Sequence, residues 1–230
     1  MQKQKIDPLY LTLHSDYNSV FCGLFKGTAC LAMVQEHKLS ASKNLMLRLT
    51  TLLKKEEVSW ADLSFIGVNQ GPSPFTTLRV VITTVNGILF AKKIPLIGVD
   101  GLRAFLTEYQ TPESEIVIAL LNAFNNDIYF GIKYPDGTTE TGWGFYATFL
   151  NEFQTKYPVA SMTFTGNGTL LHKEKIQNLF PQANIPDPLP EYVGLSTVAT
   201  CALAQWQNGE QTSQPLLPLY LKTMNYKPST

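Results

Sequence analysis

The sequence predicts an α/β fold of two halves, each a mixed sheet with helices on its faces. Three observations carry that reading. Up to residue 107 the segments run β-β-β-α-β-α-β-α, three hairpin-linked strands followed by alternating units. From Glu115 onward a looser β-β-β-α-β-α pass repeats that order. Around residues 65–91 a strand, a tight turn and a helix form one unit on which the first half is organised.

The first strand is Leu9 to Leu13, and His14-Ser15-Asp16-Tyr17-Asn18 is a turn cluster. Val20 to Phe25 and Ala29 to Gln35 follow as strands around a Lys26-Gly27 hairpin turn. Ser40 or Ser42 is expected to cap a helix running to Lys55, with Leu45, Leu49, Leu52 and Leu53 on one face. Ser59-Trp60-Ala61-Asp62 starts a single helical turn before a strand from Ser64 to Asn69. Gly71 and Pro72 then mark a turn, Ser73 is the expected N-cap, and Pro74 sits at the first helical position. Phe75, Leu78, Ile82, Val85 and Leu89 recur at helical spacing and are expected to face the sheet. Pro95 to Val99 is a further strand, and Asp100 caps a helix through Leu106. This is the order of a ribonuclease-H-like half.

In the second half Glu115–Leu121 and Asp127–Lys133 pair, and Pro135-Asp136-Gly137 turns into a weak third strand. A helix spans 145–157 with Phe145, Phe149 and Phe153 on one side. Ser161 to Thr165 is a strand, and Gly166-Asn167-Gly168 turns into a helix ending near Phe180. Pro181 to Pro190 is irregular, and Ser196 opens a last helix through Gln207. The expected division is 1–107 joined by the helix 195–208, then 108–194, then a tail 209–230.

Composition bounds the function. In 230 residues, 44% hydrophobic content supplies a real core, and a formal net charge of zero disfavours binding nucleic acid alone. Cys22, Cys30 and Cys201 are scattered and read as reduced thiols. The N-terminus lacks the apolar core of a signal peptide, and no run reaches the length of a membrane span, so the chain reads as soluble and cytoplasmic.

Chemistry-bearing patterns are few. The turn Gly71-Pro72-Ser73-Pro74 loses two backbone donors to proline and lacks a P-loop lysine, which makes it a poor phosphate cradle. His14-Ser15-Asp16 holds the residue types of a hydrolytic triad, but neighbours in sequence point apart, and no Gly-x-Ser-x-Gly elbow is present. His14, His37 and His172 lack metal-ligand spacing. The helix 74–91 is apolar over more than one narrow stripe, which fits either burial within the chain or packing on another protein.

Gly71-Pro72-x-x-Phe75-Thr76-x-Leu78-Arg79 closely resembles the Gly-Pro-Gly-Ser-Phe-Thr-Gly-Leu-Arg signature of the bacterial TsaB (YeaZ) family. Ser73, Pro74 and Thr77 depart from it. The likeness continues in Leu9–Leu13 with Ser19-Val20, in Ser42-x-x-Leu45-Met46, in Ala123 with Ile128-Tyr129, in Gly166-Asn167-Gly168, and in Pro218-Leu219-Tyr220-Leu221-Lys222. Asn122, Phe124 and Asp127 stand where the family has Asp, Arg and Glu.

The resemblance implies the duplicated fold of the actin/Hsp70/sugar-kinase superfamily. It implies a non-catalytic scaffold of tRNA N6-threonylcarbamoyladenosine modification, without catalytic, metal or cofactor residues of its own. His14 falls where the superfamily places an Asp for the metal-bound phosphates of ATP, and the helix 42–55 lacks the paired histidines of the catalytic paralogue. ATP and metal are then expected on a TsaD-like partner, with a TsaE-like ATPase completing the assembly and tRNA reached indirectly. Ser42, Leu45, Met46, Phe75, Thr76 and Arg79 are the implied partner interface, and Thr77 replaces a glycine that would allow close helix approach. The isolated chain would self-associate as a homodimer through the same face. The alternative is a divergent ATP-using or metallopeptidase-like (glycoprotease) member of the same superfamily.

Overall fold

A computed structural model describes residues 7–109, 115–158 and 160–222. The chain divides into two compact units, Met1–Ala104 with Gly194–Leu219, and Phe105–Val193 with Tyr220–Thr230.

The first unit carries β1 (Leu9–Ser15), β2 (Ser19–Lys26), β3 (Ala29–His37), α1 (Lys38–Lys55), β4 (Phe65–Asn69), α2 (Phe75–Lys92) and β5 (Leu96–Val99). Its sheet runs β3-β2-β1-β4-β5. The hairpin strands pair antiparallel, and β1, β4 and β5 run parallel. The central strands β1 and β4 are buried on both faces, which is why they read as continuous apolar runs instead of alternating ones. Leu11, Leu13, Val20, Ile66 and Val68 face a core closed by Leu45, Leu49 and Leu53 of α1 and Val81, Ile82 and Val85 of α2. The opposite face is covered by α7 (Leu195–Gln207). Tyr10 stacks there between Phe25 and Phe65 at 5.6 and 4.4 Å, and its hydroxyl donates to the carbonyls of Gly27 and Ala199. Gly67 lets α7 come close: a Cβ at that position would stand 2.6 Å from the Ala202 methyl.

The helix starts differ from expectation in ways the hydrogen bonds explain. Capping of α1 falls to His37, whose Nδ1 accepts from Leu39 N at 3.3 Å, not to Ser40 or Ser42. Ser40 instead donates to the Glu36 carboxylate, which also takes Asn44 Nδ2 at 3.3 Å and Arg48 Nε at 2.5 Å. Those donors hold Glu36 down at about 2, Ser40 contributing most and Arg48 next. Lys54 and Lys55 sit in the last turn, where the helix dipole favours cations. Ser73 does not cap α2: Pro74 holds that position, and Ser73 bonds β1 instead. Asp100 does cap α3 (Gly101–Thr107), accepting from Leu102 N and Arg103 N at 3.0 and 3.1 Å.

The second unit carries β6 (Glu115–Asn122), β7 (Asp127–Lys133), β8 (Thr139–Phe145), α4 (Tyr146–Lys156), β9 (Ser161–Thr165), α5 (Asn167–Leu171) and α6 (Lys173–Leu179). Its sheet runs β8-β7-β6-β9, with β6 and β9 parallel, and has one strand fewer than the first. The expected weak third strand is a full seven-residue β8. Phe145 caps α4 and is exposed, while Phe153 is buried and Phe149 packs on that core. The helix expected after Gly166 breaks at His172, whose ring stacks on Tyr146 at 3.8 Å. Gly166 takes φ +91°, and a Cβ there would stand 2.2 Å from the Leu120 carbonyl oxygen.

Candidate functional site

Two regions of the first unit gather the residues that the sequence singles out. The first is the carboxyl end of the parallel strands, where open α/β sheets place their ligand crevice. Here β1 ends in His14-Ser15, β4 ends in Asn69, and the turn to α2 follows. His14 is only 4% exposed, with Nδ1 2.7 Å from Asn69 Nδ2. Asn69 Oδ1 accepts from Gly71 N at 2.8 Å, which fixes the amide orientation. Nδ2 is therefore the donor, His14 Nδ1 the acceptor, and the imidazole proton sits on Nε2. Burial pushes the His14 pKa down to about 4, with Asp16 pulling weakly the other way, so the ring is neutral at pH 7. Ser15 and Ser73 close the cluster: Ser73 Oγ donates to the Ser15 carbonyl at 3.0 Å, and the two hydroxyls lie 2.8 Å apart.

The arrangement is not a triad. Asp16 spends its carboxylate on the turn, accepting from Asn18 N and Ser19 N at 2.7 Å each, while His14 pairs with Asn69 and Ser15 with Ser73. A neutral imidazole with its acceptor nitrogen engaged differs from a carboxylate as a ligand for a hard cation. Among the described residues, no three His, Cys, Asp or Glu side chains come together as a metal site. His37 caps α1 and His172 stacks on Tyr146, so the three histidines serve three separate places.

The second region is the outer face of α1 and α2. Met46 is 45% and Phe75 46% exposed, and Ser42, Thr76 and Arg79 are exposed as well. The Arg79 guanidinium lies 3.6 Å over the Phe75 ring, so the two side chains present one composite surface one turn into α2. Leu45 is the exception. It is buried to 2% in the sheet-facing core and is not a surface residue. Phe75, expected to face the sheet, points outward, because Leu78, Val81, Ile82 and Val85 already fill that side. Thr77 is also buried, so its substitution for glycine acts on packing within the chain. Exposed residues that the motif did not flag are Leu39, Leu47 and Phe90, the last 80% accessible. Adjacent apolar pairs held the only signal, since Met46-Leu47 and Leu89-Phe90 cannot both turn inward on a helix.

A sheet of order β3-β2-β1-β4-β5 and a second sheet, β8-β7-β6-β9, that repeats its first four positions define a duplicated ribonuclease-H-like architecture. The family model described as TsaD, tRNA N6-adenosine threonylcarbamoyltransferase, matches residues 37–184, well over half of the chain. The chain belongs to that family, and the relatives it resembles within it are TsaB and YeaZ proteins. The tRNA threonylcarbamoyladenosine biosynthesis protein TsaB of Buchnera aphidicola is 20% identical over 146 residues, a match covering 63% of this chain and 65% of that protein. YeaZ from Pseudomonas aeruginosa superposes with a TM-score of 0.67 at 22% identity, covering 93% of this chain and all of that one. A Bacteroides thetaiotaomicron protein with an actin-like ATPase fold superposes at 0.50 with 7% identity over 86% of this chain and 98% of that one, a likeness of fold alone. No helix among the described residues is long and apolar enough to cross a membrane.

Proposed function

We propose that this chain is a non-catalytic scaffold that binds a TsaD-like paralogue in tRNA N6-threonylcarbamoyladenosine modification. Family membership supports the pathway, and the Buchnera relative carries that biosynthesis in its name. The observation that carries the scaffold reading is the set of exposed apolar side chains on α1 and α2: Met46, Leu47, Phe75 and Phe90 sit on two 18-residue helices whose inner stripes are already packed in the core. Helices of the partner would lie across this face, with Met46, Phe75 and Arg79 at its centre and Ser42 and Thr76 at its rim.

The strand-end cluster supports a division of labour. His14 stands where the superfamily holds metal-bound phosphates, and it is spent on Asn69. ATP and metal then belong to the TsaD-like subunit, with a TsaE-like ATPase and the tRNA meeting the assembly there. Co-purification of the tagged chain with the TsaD-like protein of the same organism tests the interface. Wild type retains the partner in gentle salt, and Phe75→Ala with Arg79→Glu loses it while the fold persists. Retention by that double variant, or no capture by wild type, refutes the assignment.

A further inference from the structure

Among the described residues the two sheets end in four edge strands, and three of these are guarded. β5 is four residues long, and its Leu96 exchanges backbone hydrogen bonds with Thr212 at 2.8 and 2.9 Å. β9 is covered in the same way: Phe164 N donates to the Asn184 carbonyl at 2.9 Å, and Asn184 N donates to that of Met162 at 2.8 Å. β8 carries Glu140 and the glycines Gly142 and Gly144. Short length, a covering segment, charge and glycine are the devices that keep an edge from pairing with another chain.

β3 has none of them. It is nine residues long, and its stretch Ala29–Gln35 holds no charge, no proline and no glycine. Among the described residues its backbone pairs with β2 alone. Ala32 and Val34 pack on the core, whereas Leu31 and Met33 stand out into solvent, Met33 to 58%. A long, apolar, exposed edge is a template for a further strand.

We propose that β3 pairs antiparallel with β3 of a second copy of this chain, across a two-fold axis at Met33. A two-fold interface must be complementary to itself, and this edge is. Centring on Met33 overlaps all nine residues and keeps facing residues on the same side of the sheet. Met33 then meets Met33, Ala32 meets Val34, and Leu31 meets Gln35 of the other copy. No like charges oppose one another, since Glu36 falls against Cys30 and His37 against Ala29. Past the strand, the same register brings the start of α1 alongside the β2–β3 turn of the other copy, with Leu39 level with Gly27. Leu39 is 79% exposed, and that end of the sheet holds a groove of about 780 Å³ whose apolar lining is Pro8, Leu9, Leu31, Val58 and Trp206. An unpaired apolar side chain at one end of the edge and an apolar groove at the other complement each other twice in a two-fold pair. Met46, Phe75 and Arg79 take no part, and the inference does not rest on the α1–α2 reading.

Sedimentation velocity of the full chain from about 1 to 200 µM tests the pairing, because that range covers micromolar dissociation constants. Wild type shifts from monomer to dimer. Met33→Lys and Met33→Glu alone each weaken association by roughly tenfold or more, because residue 33 meets its own copy. An equimolar mixture of the two variants restores the dimer, which also shows that both fold. Phe75→Ala with Arg79→Glu dimerises like wild type. A wild-type monomer throughout the range would overturn the proposal, and so would a mixture that stays monomeric. A dimer kept by Met33→Lys alone, or lost in Phe75→Ala with Arg79→Glu, would overturn it as well and place the second copy on the α1–α2 face.

Discussion

His14 is a neutral imidazole with one nitrogen committed to Asn69, and that state has a pH signature. Its folded pKa, about 4, lies below the 6.5 of an unfolded chain, so the group stabilises the fold fully above pH 6.5. That stability drains as pH falls from 6.5 toward 4, by up to about 3 kcal/mol. Denaturation midpoints measured across this window should show the slope, and His14→Gln should flatten it. An unchanged slope in the variant would put the acid sensitivity elsewhere. Thr12 makes a second residue-level case. Its hydroxyl is wholly buried without a hydrogen-bond partner among the described residues. Thr12→Val removes that desolvated group at constant shape, so it should be neutral or stabilise by about 1 kcal/mol in urea denaturation.

At the scale of the element, α1 sets a buried position beside an exposed one, Leu45 next to Met46. Leu45→Ala should cost about 2–5 kcal/mol of stability, because it empties a site closed by β-sheet and α2 side chains. Met46→Ala should cost under about 1 kcal/mol in the same denaturation series. The strand–helix–strand contact has an equally local test. Gly67→Ala should destabilise by about 1–3 kcal/mol, since its methyl would meet that of Ala202, and Ala202→Gly should restore part of the loss. Helix and strand identities were readable from period, and Ser161–Thr165 and Asp127–Lys133 fall on the expected residues. Helix starts were not, because they depend on partners distant in sequence. Ser73 looks like an N-cap until β1 supplies a carbonyl and a hydroxyl for it 58 residues away. His37 has no place in the usual list of caps, yet its ring nitrogen serves α1.

At the scale of the molecule, the order of segments foretold two ribonuclease-H-like sheets, since hairpins followed by crossovers to parallel strands leave little topological choice. The site was harder to read. The motif at 71–79 singled out α2, but a helix apolar on several sides does not reveal which side the rest of the chain covers. Leu45 goes inward and Phe75 outward for that reason, and the exposure of Leu47 and Phe90 shows only in the folded chain. The central claim is that this outer face makes a TsaD-like enzyme productive. The most direct measurement is threonylcarbamoyl transfer to tRNA by that partner, with and without this chain and with its Arg79→Glu and Thr76→Arg variants. The account predicts transfer that depends on the chain and is lost, together with partner binding, in both variants. A partner fully active alone, or variants as effective as wild type, would contradict it.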